Sequence, residues 1–64
     1  MDYRSAKKLK KDDKIFEKTT ENEFTVLETD KFKYHGKNYI MIGAVDNENN
    51  FKRFTHLEVE VEKM

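Results

Sequence analysis

Residues 57–62 read LEVEVE, in which three aliphatic side chains alternate with three glutamates. Successive side chains of a β-strand point to opposite faces, so this alternation predicts a strand with one dry face and one solvated face. We expect Leu57, Val59 and Val61 to lie on the dry face. Such a strand needs a curled sheet to enclose its apolar side, and residues 57–62 therefore predict a mostly β protein.

The first half of the chain predicts a hairpin. Residues 23–29 are rich in β-branched and aromatic side chains, with Phe24 and Val26 on one side of the predicted strand and Leu27 on the other. Residues 13–18 predict a short first strand, and the polar residues 19–22 have the length of a hairpin connection.

Two further turns divide the second half of the chain. Gly36 follows His35, and a glycine after a residue that tolerates positive φ is typical of a tight hairpin turn. The apolar run 39–45 is then predicted to be the central strand. Residues 46–50, which are Asp, Asn and Glu only, predict a turn into another strand at residues 51–54.

Residues 2–11 leave two alternatives open. Ser5 is a residue type that caps helices, and Tyr3, Ala6 and Leu9 recur at intervals of three, which predicts one or two helical turns packed on the sheet. The same segment is equally compatible with a frayed arm.

Composition indicates one small folded domain. Charged residues make up 41% of the 64 and apolar residues 36%, but the net charge is zero and eight side chains are aromatic, which is unlike a disordered chain. There is no cysteine to form a disulfide or a thiolate zinc site. The longest apolar run is far too short for a membrane helix, so we expect a cytoplasmic protein that does not use a membrane.

Five short strands joined in sequence order predict a meander curled into a barrel. The succession LKKDDKIFEK, NEFTVLETD, GKNYIMIGAVDNENN, FKRFTHLEVEV resembles the small SH3-like barrels of Gram-positive bacteria, their phages and mobile elements. The resemblance covers residues 9–62. It implies a basic arm or short helix at residues 1–11 and an SH3-like β-barrel at residues 12–64.

The same resemblance assigns roles to three segments. It implies a charged turn at Asp12 and Asp13, a long bent second strand at residues 23–34, and a brief 3₁₀ turn at residues 55–57. Many such barrels have glycine where this chain has Asp12, so the geometry of that turn is an open question.

No constellation for catalysis or metal binding is recognisable. His35 and His56 are the only histidines, and neither is spaced as a metal ligand pair. Lone histidines in loops are most often exposed, and we interpret His35 as a turn residue and His56 as part of the entry to the last strand. Ser5 has no adjacent base, and residues 46–50 lack the features of a calcium loop. We therefore expect no enzyme, no metal and no cofactor.

One basic cluster could bind phosphates. Its candidate side chains are Arg4, Lys7, Lys8, Lys10 and Lys11. Together with sheet aromatics such as Tyr34, Tyr39 or Phe51 it would suit nucleic acid. The isoelectric point near 6.7 argues against this, because nucleic-acid-binding domains are usually basic overall. A solvated arm is the simpler interpretation.

The run 39–45 is apolar on both faces. Either residues 3–9 or the curl of neighbouring strands covers its outer row, or this row forms a surface for a protein partner or a second copy. The candidate partner-binding residues are Phe16, Tyr39, Met41 and Phe51. The leading hypothesis is a non-enzymatic interaction module that binds a protein partner or itself. The alternative is a nucleic-acid-binding barrel that uses the basic arm.

Overall fold

The computed structural model describes residues 1–61. It is mostly β, as predicted, with antiparallel strands in a single sheet and one short helix. The elements are α1 (Tyr3–Ala6), β1 (Lys14–Glu17), β2 (Glu23–Tyr34), β3 (Lys37–Val45), β4 (Phe51–Thr55), a 3₁₀ turn (His56–Glu58) and β5 (Val59–Val61). Glu62, the end of the predicted last strand, lies outside the described residues.

The strand order is β4-β3-β2-β1-β5, which differs from a simple meander. Strands β1 to β4 are neighbours in sequence order, but β5 pairs with β1, with Glu17 opposite Val59 and Ile15 opposite Val61. The prediction that residues 39–45 form the central strand is wrong, because adding β5 beside β1 makes β2 the middle of the sheet. Within residues 1–61 the two edge strands, β4 and β5, share no ladder, so hydrogen bonding does not close the sheet.

The sheet is nevertheless strongly curved around its apolar side. The Lys52 ammonium on β4 lies 3.3 Å from the Glu17 carboxylate on β1. In a flat sheet these strands would be about 14 Å apart, at about 4.8 Å per strand spacing. The rings of Phe24 on β2 and Phe54 on β4 also meet edge to face, with centroids 4.9 Å apart. These contacts bring β4 over the inner face of β1 and β2.

The core lies on the inner face. Its buried side chains include Ile40, Ile42 and Ala44 from β3, and the remaining strand members are Ile15, Phe24, Val26, Phe54 and Val59. Removing this much apolar surface from water is the main stabilising contribution available to a chain without disulfides.

Helix α1 packs on that core, so the helical alternative for residues 2–11 is the one observed. Ala6 and Met1 are buried in the core cluster, and Tyr3 and Leu9 pack against it. The sequence predicted Ser5 as the helix cap, and this is wrong. Asp2 is the N-cap, and its carboxylate accepts a hydrogen bond from the Ser5 N–H at 2.7 Å. This places the carboxylate at the N-terminal end of the helix, where N–H groups lack intrahelical partners.

Residues 57–61 do not form the single dry face that their alternation predicts. Val59 is completely buried, but Leu57 is 56% exposed and Val61 46% exposed. Leu57 belongs to the 3₁₀ turn, where the period of two does not apply, and the strand begins only at Val59. Val61 ends a short edge strand. The prediction is therefore correct for Val59 alone.

Four turns depend on left-handed backbone, including the β1–β2 connection, where Glu21 has φ of +60°. His35 and Gly36 have φ of +49° and +75° and connect Tyr34 to its register partner Lys37, as expected of a two-residue hairpin turn of type I′. Asn49 has φ of +64° in the predicted turn at residues 46–50. Asp12 has φ of +78°, so an aspartate adopts the conformation that glycine usually supplies there.

Candidate interaction surface

The outer face of strands β2 to β4, the side that points away from the core, carries three of the predicted partner-binding residues. Tyr39 and Met41 lie half-buried on β3, and Phe51 lies 49% exposed on β4. Phe32 on β2, directly opposite Tyr39, adds a fourth apolar side chain that the sequence did not single out. Pairing residues outward from the turn at Gly36 would have found it, because Phe32 and Tyr39 are then equidistant from the turn.

Gly43 allows Phe51 to lie close to β3. A Cβ atom built on Gly43 would be 2.9 Å from Phe51 Cζ and 2.9 Å from Glu28 Cγ, closer than side-chain atoms normally approach. Because Gly43 has no side chain, the Phe51 ring can lie over Gly43, the position next to Met41 in the outer row. Gly43 has a structural reason to be glycine even though it lies within a strand.

Charged groups border this apolar surface. The Arg53 guanidinium lies 5.6 Å from the centre of the Phe51 ring and 4.0 Å from the Glu28 carboxylate. A groove of about 280 Å³ runs beside them and is lined in part by Asp30 and Met41. An apolar centre with a polar border is the usual composition of a protein-binding surface.

Phe16 is not brought to this surface. It lies half-buried on β1, with Glu23 and Glu60 as its register partners. Glu23 and Phe32 are nine residues apart on β2, or about 30 Å at about 3.3 Å per residue, so Phe16 is remote from Tyr39.

A row of aromatic rings links the outer face to helix α1. Phe32 and Tyr39 stack with centroids 5.2 Å apart, and Tyr39 lies 5.9 Å from the ring of His56. His56 in turn meets Tyr3 edge to face at 5.9 Å, and the Lys7 ammonium lies 5.7 Å from the centre of the Tyr3 ring. The row places one arm lysine close to the aromatic side chains of the sheet.

His56 lies in the 3₁₀ turn that leads into the last strand, as predicted, but it is buried, unlike the exposed histidine expected of a loop. Its Nδ1 accepts a hydrogen bond from the Ile40 N–H at 3.3 Å, which requires that nitrogen to be unprotonated. Burial lowers the pKa of His56, and the positive amino group of Met1 lowers the pKa further against the opposing effect of Asp2. His56 is therefore a structural residue. His35 is exposed in its turn, as predicted.

The five basic arm residues lie in and after α1, with Arg4 in the helix and Lys7 at its C-cap. All five are exposed. A cleft of about 440 Å³ beside them is lined by Lys8 but also by Asp12 and Asp13. The cleft beside the arm therefore mixes both signs of charge, which weakens the arm as a phosphate-binding surface.

The acidic turns use their carboxylates locally. Asp46 accepts hydrogen bonds from the N–H groups of Glu48 and Asn50, each at 2.9 Å, and the bond from Asn50 is the main reason for the lowered pKa of Asp46. Residues 1–61 contain no group of three or more His, Asp or Glu side chains placed to hold a metal ion. In the same part of the chain, no helix has the length and apolar character needed to cross a membrane.

No protein-family model, curated protein or solved structure matches this chain. The resemblance to SH3-like barrels thus stays a prediction. The function has to be argued from the surfaces described above.

Proposed function

We propose that this chain is a small non-enzymatic interaction module, folded as an SH3-like barrel, that binds a protein partner through the outer face of β2 to β4. The observation that carries the proposal is the convergence of Tyr39, Met41 and Phe51 from two strands onto one surface, with Phe32 beside them. A chain with so many charged residues has few apolar side chains to leave on its surface, and grouped ones favour an interface.

The barrel interpretation is supported by three features. The strand β5 returns to β1 after a 3₁₀ turn, as the resemblance implies. The long strand β2 has a bulge between Val26 and Glu28, where a second strand of this kind would bend. Contacts across the inner face, such as that of Lys52 with Glu17, bring the first and fourth strands together.

The edges of the sheet disfavour self-association by strand pairing. Edge strand β4 carries adjacent Lys52 and Arg53. Antiparallel pairing of two β4 strands centred on Arg53 would place two guanidinium groups opposite each other, and like charges at that position are destabilising. The other edge, β5, has three residues. The apolar outer face is therefore the surface on which to look for the partner.

Site-specific photo-crosslinking tests this proposal. A photoreactive phenylalanine analogue is placed at Phe51 or, as the matched control, at Leu57, which is similarly exposed but lies on the 3₁₀ turn. We expect a discrete protein adduct in native cells from position 51 and none from position 57. Met41→Lys should abolish the adduct at position 51 while leaving the circular dichroism spectrum unchanged.

Sedimentation of the purified protein identifies the partner class. An adduct of twice the chain mass, with a dimer in sedimentation, would make the partner a second copy. Equal labelling at positions 51 and 57, labelling insensitive to Met41→Lys, or no adduct from a monomeric protein would overturn the proposal.

A further inference from the structure

We infer that the projecting end of the β2–β3 hairpin, residues 31–39, binds single-stranded nucleic acid. This goes beyond the protein-binding proposal, with which it shares Phe32 and Tyr39 but not Met41 and Phe51. The inference rests on how the fold separates charge and on which side chains it presents at that end.

The hairpin end is a basic region in a chain of zero net charge. Residues 31–39 contain three lysines and one histidine and no aspartate or glutamate. The opposite end of the same two strands carries the acidic side chains Glu21, Glu23, Asp46 and Glu48. The isoelectric point reflects the total charge of the chain, so it does not reveal that the two ends carry opposite charge.

The two ends are too far apart to neutralise each other. The molecule is 35 Å long, and β2 at about 3.3 Å per residue runs most of that length. Charges in solution are screened over about 8 Å at physiological ionic strength. Asp30 adjoins the hairpin end, and residues 30–39 carry three lysines against this one carboxylate. The hairpin end therefore keeps a local excess of positive charge, and the overall charge of the protein does not argue against an anionic ligand there.

The register divides the hairpin end into two faces. Phe32, Tyr34, Lys37 and Tyr39 share the outer side, since Phe32 is opposite Tyr39 and Tyr34 opposite Lys37. The alternate positions on β2, Lys31 and Lys33, point to the other side. Aromatic rings thus occupy one face of a narrow ribbon, with flexible ammonium groups on both faces.

These rings are accessible for stacking. Tyr34 is 59% exposed and Phe32 37% exposed. Phe32 is already aligned by its stack on Tyr39, with the ring planes 17° apart. A ring held in place by a neighbour loses less conformational freedom when a base stacks on it, which favours binding.

A single-stranded nucleic acid matches both features. Its phosphates pair with lysines, and its unpaired bases stack on exposed aromatic rings, each stack contributing about 1–3 kcal/mol. A duplex would use the lysines but leave the rings without bases to stack on. The acidic end of a second copy has asparagines, Asn22 and Asn47, among its carboxylates, and the cleft there is lined by polar side chains, which suit the rings less well than bases do.

Fluorescence anisotropy with labelled dT12 tests the inference and separates the hairpin from the basic arm. Each of the three hairpin lysines is expected to neutralise one phosphate, which contributes about 0.7 to the salt dependence for a single strand. A plot of the logarithm of affinity against the logarithm of salt concentration should therefore have a slope of about −2. Raising salt from about 50 to about 200 mM should then weaken binding about 15-fold. Participation of the five arm cations as well would steepen the slope to between about −5 and −6.

Two triple variants remove equal charge from the two regions. They are Lys31→Gln/Lys33→Gln/Lys37→Gln at the hairpin and Lys8→Gln/Lys10→Gln/Lys11→Gln in the arm. We expect the hairpin variant to lose binding and the arm variant to retain it. Tyr34→Ala should weaken binding at least fivefold without changing the salt slope, and Tyr34→Phe should keep it.

Other outcomes overturn the inference. These are no binding of dT12 at about 100 μM protein in low salt, the weak end of non-specific affinity, or equal loss from both triple variants. Tighter binding to a 12-base-pair duplex, unaffected by Tyr34→Ala, would show a purely phosphate-directed surface. Binding lost only in the arm variant would move the site to the arm. Phe51 crosslinking is scored separately, so either proposal can fail alone.

Discussion

Substitutions in residues 57–61 test directly which side chains the sheet encloses. Val59 is completely buried, whereas Val61 and Leu57 remain 46% and 56% exposed. Val59→Ala removes two methyl carbons, worth about 1.6 kcal/mol of transfer free energy at about 0.8 per carbon. The enclosed cavity raises the expected loss of unfolding free energy to about 2–3 kcal/mol. Val61→Ala and Leu57→Ala create no enclosed cavity and should each cost under about 1 kcal/mol.

Urea and thermal unfolding, followed by circular dichroism, measure these losses. In a domain of this size 1 kcal/mol corresponds to a change in Tm of about 4–8 °C, so Val59→Ala should lower Tm by about 10–20 °C. The two control variants should each lower Tm by less than about 8 °C. Equal losses from all three would mean that strict alternation continues through the 3₁₀ turn, and the reasoning from observed burial would be refuted. A tolerated Val59→Ala would contradict the assigned core.

Three further predictions concern the outer face, the buried histidine and the first turn. Gly43→Ala should lower the unfolding free energy by about 1 kcal/mol or more, because the added Cβ would crowd Phe51. The loss should be smaller in a Phe51→Ala background, where this crowding is relieved, and equal losses in the two backgrounds would contradict the packing of Phe51 on Gly43. The pKa of His56 is lowered in the folded state, so as the pH falls the imidazole binds a proton in the unfolded chain before it does in the folded protein. Stability is therefore retained above about pH 6.5 and falls as the pH drops below that value. The urea midpoint of the protein should therefore decline between about pH 7 and pH 5, with a flatter profile for His56→Asn and an unchanged one for His35→Asn. Asp12 has left-handed backbone, so Asp12→Gly should leave the free energy of unfolding equal or higher. Asp12→Val should lower the free energy of unfolding by more than about 1 kcal/mol, and the reverse order of the two variants would exclude that backbone conformation.

The candidate site was only partly predictable. Tyr39, Met41 and Phe51 could be selected because they are apolar side chains in excess of what one inner face can hold. Phe32 and Phe16 show the limit of that reasoning, since only the register places Phe32 beside Tyr39 and pairs Phe16 with Glu23, nine residues away from Phe32 on β2. The lysines of the hairpin end are contiguous in the sequence at residues 31–39, whereas the arrangement of its aromatic rings on one face depends on the register of β2 and β3.

Local chemistry made most of the elements readable from the sequence alone. The alternation of Phe24 and Val26 with Glu23 and Thr25 defined a strand. The pair His35 and Gly36 defined a turn, because strand period and positive φ depend on adjacent residues only. The order of the strands and the enclosure of individual side chains were decided by tertiary structure. Val59 is buried and Val61 is not because burial depends on segments distant in the chain, including β1 and the core that Met1 and Ala6 help to cover.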